Sequence, residues 1–353
     1  MSERAMARAV LERFDANCRD LPWRRTADPY AIWVSEVMLQ QTRVETVVPY
    51  YQRWLDRFPT VSALADAAPD DVLREWQGLG YYSRARNLQR AARLVRERHG
   101  GRLPRDPSAL RELPGVGEYT AGAVASIAYG VRVPAVDGNV RRVLARVHDL
   151  ERPTAAELRR RADDLVPSDR PGDFNQALME LGATICTPRA PSCPHCPLAA
   201  WCRARRLGVQ EQRPVPRPRG PVPHDRVVCH VLVRDDGATL LVRRPVDGLL
   251  GGMWEFPGEP GAAAARPEVA AWIRAGRHVA DLGPVQHTFS HKRITYQPRL
   301  LRLDPDPAAP RAAPEPTPTG DVAWVDPADL SAFPLPVAQQ RIAEAAGFLL
   351  LTR

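Results

Sequence analysis

ICTPRAPSCPHCPLAAWCRA, residues 185–204, carries four of the six cysteines of the chain: Cys186, Cys193, Cys196 and Cys202, spaced C-x6-C-x2-C-x5-C. An ordinary core has no use for such bunching. Cysteine thiolates hold zinc or iron–sulfur clusters, and four of them complete a coordination shell. A zinc ribbon usually shows two separate C-x2-C pairs. Only one such pair stands here, with the other two cysteines flanking it unequally. The spacing therefore points to a metal or cluster site, with a disulfide pair as the alternative. His195 lies inside the loop and reads as solvent-facing, since four thiolates leave it no vacancy to fill.

Outward from this loop, composition sets the frame. The chain has 353 residues and 44% hydrophobic content, enough for two domains with sizeable cores. No run of eighteen apolar residues occurs, which predicts no membrane-spanning helix. The start, MSERAMARAVLERF, has no signal-peptide core, and free cysteines fit a reducing compartment, so a cytoplasmic protein is expected. Net charge is +8 and uneven: residues 1–206 hold 32 Arg against 25 Asp and Glu, and residues 207–353 hold 17 Arg and Lys against 16. The first part is the better candidate for binding a polyanion. Lys292 is the only lysine.

Residues 1–206 read as all-α. Apolar residues recur at helical spacing in 31–39, 47–58, 84–95, 118–128 and 139–147, with Pro and Gly marking loops. Next comes RLGVQEQRPVPRPRGPVPHD, with five prolines between 214 and 223. It can be neither regular helix nor central strand, and reads as a semi-rigid linker over 207–225. From 226 to 353 the pattern becomes α+β. RVVCHVLVRDDGATLLVRR reads as two strands around a turn at Asp235-Asp236-Gly237, with later strands in ITYQPRLLRL and DVAWVD. Helical stretches are expected at 267–275 and 336–350. Between two strands lies a Pro/Ala-rich insertion, 304–319, read as a disordered loop.

Three motifs outside the cysteine loop carry chemistry. Leu113-Pro114-Gly115-Val116-Gly117 leads into an Ala-rich helix. Gly115 and Gly117 let the chain turn tightly and bring backbone N–H groups to a helix N-terminus, which grips a phosphate without reading sequence. Asp137, in AVDGNVRRVLAR, sits directly before a helix and fits an N-cap, a role compatible with catalysis. Glu36, in PYAIWVSEVMLQQTRV, stands in an apolar run. Facing solvent it would be unremarked. Facing inward it would be desolvated and stay protonated near neutral pH.

The cysteine loop and the surrounding FNQALMELGATICTPRAPSCPHCPL resemble the 4Fe-4S loop of base-excision DNA glycosylases related to endonuclease III. LPGVG resembles that family's helix-hairpin-helix, and SEVMLQQT with VDGNV resembles its adenine-specific, MutY-type branch. The resemblance implies that Cys186, Cys193, Cys196 and Cys202 hold a 4Fe-4S cluster. It implies that Glu36 is the acid, Asp137 the stabiliser or nucleophile, Tyr119 a neighbour of the reacting sugar, and Asn139 a residue that orients the site. An acid and an ionised carboxylate around an oxocarbenium-like sugar is the general glycosidase arrangement. By the same resemblance Arg19, Trp23, Arg24, Leu39 and Glu180 line the adenine pocket, and Gln41 and Tyr81 wedge into the duplex.

In bifunctional relatives the position of Tyr119 is a lysine that forms a Schiff base and nicks the strand. Residues 1–291 contain no lysine, the usual amine for such chemistry. GMWEFPGE resembles the start of a Nudix domain. The helix that should carry its metal-binding glutamates is missing from the next stretch, PGAAAARPEVAAWIRAG, where Glu268 and, just before it, Glu259 are the only acids. His287-Thr288-Phe289-Ser290-His291 resembles the loop that reads 8-oxoguanine opposite adenine, with Phe289, Ser290 and His291 at the lesion.

The fold expected is thus multidomain: an all-α helix-hairpin-helix glycosylase domain with a 4Fe-4S loop, then a smaller α+β Nudix-like domain. The function expected is a monofunctional hydrolase, a monomer acting on double-stranded DNA that contains A:8-oxoguanine or A:G. A thymine-mismatch glycosylase on the same scaffold, a non-catalytic lesion-binding protein and a Nudix nucleotide hydrolase are the competing readings.

Overall fold

The computed structural model describes residues 3–216, 220–259, 266–303 and 320–348. The insertion at 304–319 and residues 217–219 of the Pro/Arg-rich linker lie outside them. The chain divides into two compact units: Met1–Asp66 with Asn87–Arg219, and Ala67–Arg86 with Gly220–Arg353. Grouping Ala67–Arg86 with the C-terminal residues is a feature that the hydrophobic pattern does not announce.

The helices of the first 206 residues are α1 (Glu3–Asn17), α2 (Pro29–Met38), α3 (Val44–Arg57), α4 (Val61–Asp66), α5 (Pro69–Glu75), α6 (Ser83–His99), α7 (Pro107–Arg111), α8 (Glu118–Tyr129), α9 (Gly138–His148), α10 (Ala155–Leu165), α11 (Pro171–Thr184) and α12 (Arg203–Arg206). Each helical stretch read from the sequence in this region falls on one of these. In the first unit, α9 shows why: Val140, Val143, Leu144 and Val147 recur at i, i+3, i+4 and i+7 and are all buried. They meet Val10 and Leu11 of α1, Leu158 and Ala162 of α10, and Phe174 and Leu178 of α11 in one core. Each such side chain contributes about 1.5–3 kcal/mol when fully buried.

Two glycines set how closely these helices pack. A Cβ on Gly122 of α8 would stand 2.3 Å from the carbonyl oxygen of Pro134, and one on Gly182 of α11 would stand 2.6 Å from Cβ of Asn139. Real Cβ atoms do not approach so closely, so α11 reaches Asn139 only because position 182 has no side chain.

In the second unit the strands are β1 (His224–Val233), β2 (Thr239–Arg243), β3 (Trp254–Glu255), β4 (Gly258–Glu259), β5 (Arg277–Asp281), β6 (Val285–Thr288), β7 (Arg293–Arg302) and β8 (Val322–Val325). They form one mixed sheet in the order β3-β2-β1-β7-β5, with β4 on β1, β6 on β7 and β8 on β2. β1 and β7 run parallel over ten residues, from His224 opposite Arg293 to Val233 opposite Arg302. The turn between β1 and β2 has Gly237 at φ 85°, a conformation open to glycine. Alternate residues of β1 face opposite ways: Cys229 and Val231 enter a core with Trp254, Phe256 and Ile342, while Leu232 packs with Leu240, Val242 and Val269. The flanking helices are α13 (Pro267–Ala275) and α14 (Val337–Ala345).

Ala67–Arg86 is fastened within this unit by polar anchors. Asp70 takes both arms of Arg243 at 2.9 Å and accepts from Trp254 Nε1 at 3.3 Å, and Arg74 donates to the carbonyl of Ala332 at 3.1 Å.

Candidate active site

α2 is apolar all round, so it has to be buried on every face. Asp28 caps it, accepting from the backbone N–H of Tyr30 and Ala31, and Pro29 fits the first turn. Residues Tyr30 to Met38 are all buried, and Glu36 is carried inside with them at 5% exposure. Burial pushes the Glu36 carboxyl up to about 7, helped by the nearby charge of Asp137 and opposed by the Tyr119 hydrogen bond and the charge of Arg24.

Tyr119 stands in the first turn of α8, just past the hairpin. Its hydroxyl donates to Glu36 Oε2, and Met179 Sδ lies 3.2 Å away as a second acceptor. Burial and the charges of Glu36 and Asp137 hold the phenol well above its ordinary range, so it remains a proton donor.

Asp137 is the N-cap of α9, accepting from Val140 N at 2.7 Å, and also accepts from Asn139 Nδ2 at 3.0 Å. Burial raises its pKa, and these two bonds together with Arg142 pull against that rise. The capping role and a position at the cleft coexist in one carboxylate.

Glu36, Leu39, Gln41, Tyr119, Asp137 and Asn139 line one cleft of about 880 Å³, together with Arg142 and Glu118. Six of the residues proposed from the sequence thus meet in space. Gln41 sits at φ 56°, a left-handed conformation rare outside glycine, at the edge of this cleft.

Arg19, Trp23, Arg24 and Glu180 do not line it. Glu180 is taken up by Arg19, through two bonds of 2.8 Å, and by Arg24 at 2.9 Å. Burial alone would raise the Glu180 pKa, and the two guanidinium groups outweigh it and hold the carboxyl below its ordinary value. Trp23 is buried edge-on to Tyr51, with ring centroids 5.5 Å apart. Arg24 nevertheless reaches Glu36 through its charge.

Met179 and Arg142 were missed by the sequence reading. Arg142 donates to Asn139 Oδ1 at 2.8 Å, to the carbonyl of Gly182 at 2.7 Å and to the carbonyl of Cys186 at 2.7 Å. Its spacing from Asn139, i and i+3 on α9, was the available signal. Met179 adjoins Glu180 and carried no signal of its own.

At the hairpin, Gly115 has φ 78°, and a Cβ there would come 2.8 Å from Asn87. Gly117 is the N-cap of α8 and contributes no capping side chain, so the first N–H groups of the helix are left for an anion.

The four cysteines line a second, small cavity, and none is in a disulfide. Cys202 is buried and the other three are half-buried. Arg146, itself buried, donates to the carbonyls of Cys186, Thr187 and Pro188 at 3.3, 2.6 and 3.0 Å and to that of Arg213 at 3.2 Å. It stands 3.4 Å from Cys186 Sγ. Among the described residues no three side chains form a ready metal-ligating group. The donor chemistry, four free thiols on one cavity beside a guanidinium, fits a thiolate-held cluster. His195 is exposed and bonds to Ser192 Oγ at 3.0 Å.

In the second unit, Phe289 packs between His287 and His291, with ring centroids at 4.5 and 6.3 Å. The Tyr81 hydroxyl donates to Ser290 Oγ at 2.7 Å, and Ser290 lies 3.4 Å from His291 Nδ1. Both segments line a cleft of about 510 Å³.

A family model described as the HhH-GPD superfamily of base excision DNA repair proteins matches residues 34–168, and a NUDIX domain model matches residues 228–345. An adenine DNA glycosylase of Rattus norvegicus is 40% identical over 365 residues, covering 85% of this chain and 71% of that protein. One of Homo sapiens is 41% identical over 363 residues, covering 84% of this chain and 66% of that protein. Among solved structures, that of a thermostable thymine-DNA glycosylase aligns with a TM-score of 0.55 and 31% identity, over 58% of this chain and 97% of that one.

Proposed function

The chain belongs to the adenine DNA glycosylase family, and from that premise we propose that it excises adenine mispaired with 8-oxoguanine or guanine in double-stranded DNA, leaving an abasic site and an intact strand. The observation that carries this reading is Glu36: a carboxyl whose pKa lies near 7, at a cleft shared with Asp137 and Tyr119. Adenine is a poor leaving group until a proton reaches its ring nitrogen.

Glu36 in its acid form delivers that proton. The bond between sugar and base then breaks, its electron pair leaving with the base. Asp137, ionised and held by Asn139 and by Val140 N–H, stabilises the positive sugar from its own side of the cleft. A water completes the reaction at the sugar carbon and releases its proton to a carboxylate. Tyr119 holds Glu36 in place and offers no amine. Residues 1–291 contain no lysine, which supports a glycosylase without lyase chemistry.

The α8 N-terminus would take a backbone phosphate, Gln41 and Tyr81 would enter the stack, and Phe289, Ser290 and His291 would meet the opposite base. Cys186, Cys193, Cys196 and Cys202 would hold a 4Fe-4S cluster whose service is to fold their loop. The reading includes a cytoplasmic monomer. Among the described residues no helix is long and apolar enough to cross a membrane.

Labelled duplexes carrying A:8-oxoguanine, A:G or T:G test the proposal. Alkali-labile sites in the first two are expected, with no breaks before alkali. Cleavage at T:G alone would favour thymine removal, the reading suggested by the likeness to the thymine-DNA glycosylase.

A further inference from the structure

Three of the four residues in the loop 78–81 lie in the left-handed region: Gly78 at φ 102°, Gly80 at 71° and Tyr81 at 47°. That region is unfavourable for a tyrosine, and the conformation persists only where the surroundings enforce it. Tyr81 is also 41% exposed, one of few large rings so displayed among the described residues.

Arg84, in the first turn of α6, supplies the enforcement. It is buried, and its Nη2 donates to the carbonyl of Leu79 at 3.1 Å and of Gly80 at 3.2 Å. Its guanidinium lies over the Trp76 ring at 5.1 Å and the Tyr81 ring at 5.7 Å. Trp76 Nε1 donates to the same Gly80 carbonyl at 3.1 Å, Gly78 N to Tyr82 Oη at 3.2 Å, and Arg84 N to the Tyr81 carbonyl at 2.9 Å. The loop has two carbonyls turned toward one guanidinium nitrogen, and the Trp76 and Tyr81 rings both lie within cation–π reach of that group.

We infer that Arg84 is a positioning residue for recognition of the base opposite adenine: it fixes the pose in which Tyr81 presents its ring outward and its hydroxyl to Ser290. The inference rests on the reading that Tyr81 enters the duplex. Lysine cannot substitute, because a compact ammonium on a flexible stem has no planar face to lay against the Trp76 and Tyr81 rings and so does not hold the fixed approach to the loop carbonyls.

The test uses the full chain and duplexes with 2-aminopurine beside the opposite base, comparing wild type, Arg84→Lys, Tyr81→Ala and the double variant. Arg84→Lys should lower the preference for A:8-oxoguanine over A:G, in kcat/KM, by about tenfold, the size of one lost charge-assisted hydrogen bond. It should also reduce the fluorescence rise on binding. The double variant should be no worse than Tyr81→Ala alone, a non-additivity that a merely structural role would not give. If Tyr81→Ala lowers the preference while Arg84→Lys keeps it, or if the effects add, the inference is overturned and the reading of Tyr81 stands. If Tyr81→Ala changes nothing, that reading fails and Arg84 has nothing to position. Should Arg84→Lys not fold, Trp76→Phe, which keeps a ring under the guanidinium and removes one donor to Gly80, replaces it with the same outcomes, its predicted loss of preference being smaller.

Discussion

Tyr119 donates its hydroxyl to Glu36 Oε2 across 83 residues of chain, joining the hairpin helix to the most buried carboxylate of the cleft. That bond favours ionised Glu36, and burial favours the neutral form. Burial wins, and the carboxyl stays protonated up to about pH 7.

Glu36→Gln should therefore remove turnover and spare binding. Glutamine keeps the shape and a donor but has no proton to give. A loss of about 10²–10⁴-fold in single-turnover adenine release is expected, with duplex affinity within a few-fold of wild type. Comparable loss of both would mean that Glu36 is structural.

The rate should depend on pH with a definite sign. Glu36 must carry its proton, so kcat falls as pH rises through about 7. Stability changes in the same direction. The folded pKa is raised from an ordinary 4.5, so in that window the folded chain holds a proton that the unfolded chain has released. Stability should decline by about 3 kcal/mol as pH rises through it, and Glu36→Gln should flatten that decline in denaturant titrations at pH 5 and pH 8.

Gly182→Ala should harm both stability and activity. Its Cβ would stand 2.6 Å from that of Asn139, so α11 or α9 must move. Overpacking of this kind costs typically about 1–3 kcal/mol. Because the displaced residue also donates to Asp137, adenine release should fall more than in a control such as Gly283→Ala, which has open space around it and no left-handed backbone to strain. Equal rates in the two variants would contradict the packing argument.

Arg146→Met should loosen the cysteine loop. It leaves the half-buried carbonyls of Cys186 and Thr187, and the exposed one of Pro188, without their charged donor, a loss of about 1–3 kcal/mol. Thermal melts should show it, together with weaker visible absorption of the purified protein. Cys202→Ser should lose that absorption more completely. Zinc in a colourless preparation would replace the cluster assignment with a metal site.

Much of the molecule is legible in the chain itself. The 3.6-residue recurrence of Val140, Val143, Leu144 and Val147 marks α9 and its buried face, and the capping Asp before it marks its start. The apolar run around Glu36 leaves it open to either solvent or interior, and the structure buries it. The strands β5 and β6 were not foreseen. β5 is almost wholly exposed, and β6, only four residues long, alternates between half-buried and exposed, so neither carries a strong apolar period of two.

By itself the sequence determined the four clustered thiols, the Gly-bearing turn before a helix at 113–117, the lysine-free stretch and a carboxylate set in an apolar run. Those come from local spacing and composition, which need no partner to be read. Only the tertiary structure decided which of the polar residues meet. It set Tyr119 on Glu36, gave Glu180 to Arg19 and Arg24 instead of the cleft, and ran Arg142 from Asn139 to the Cys186 carbonyl. Helical periodicity says which face of a helix is buried, while the partner on that face is fixed by close packing, here by glycines that let α11 approach.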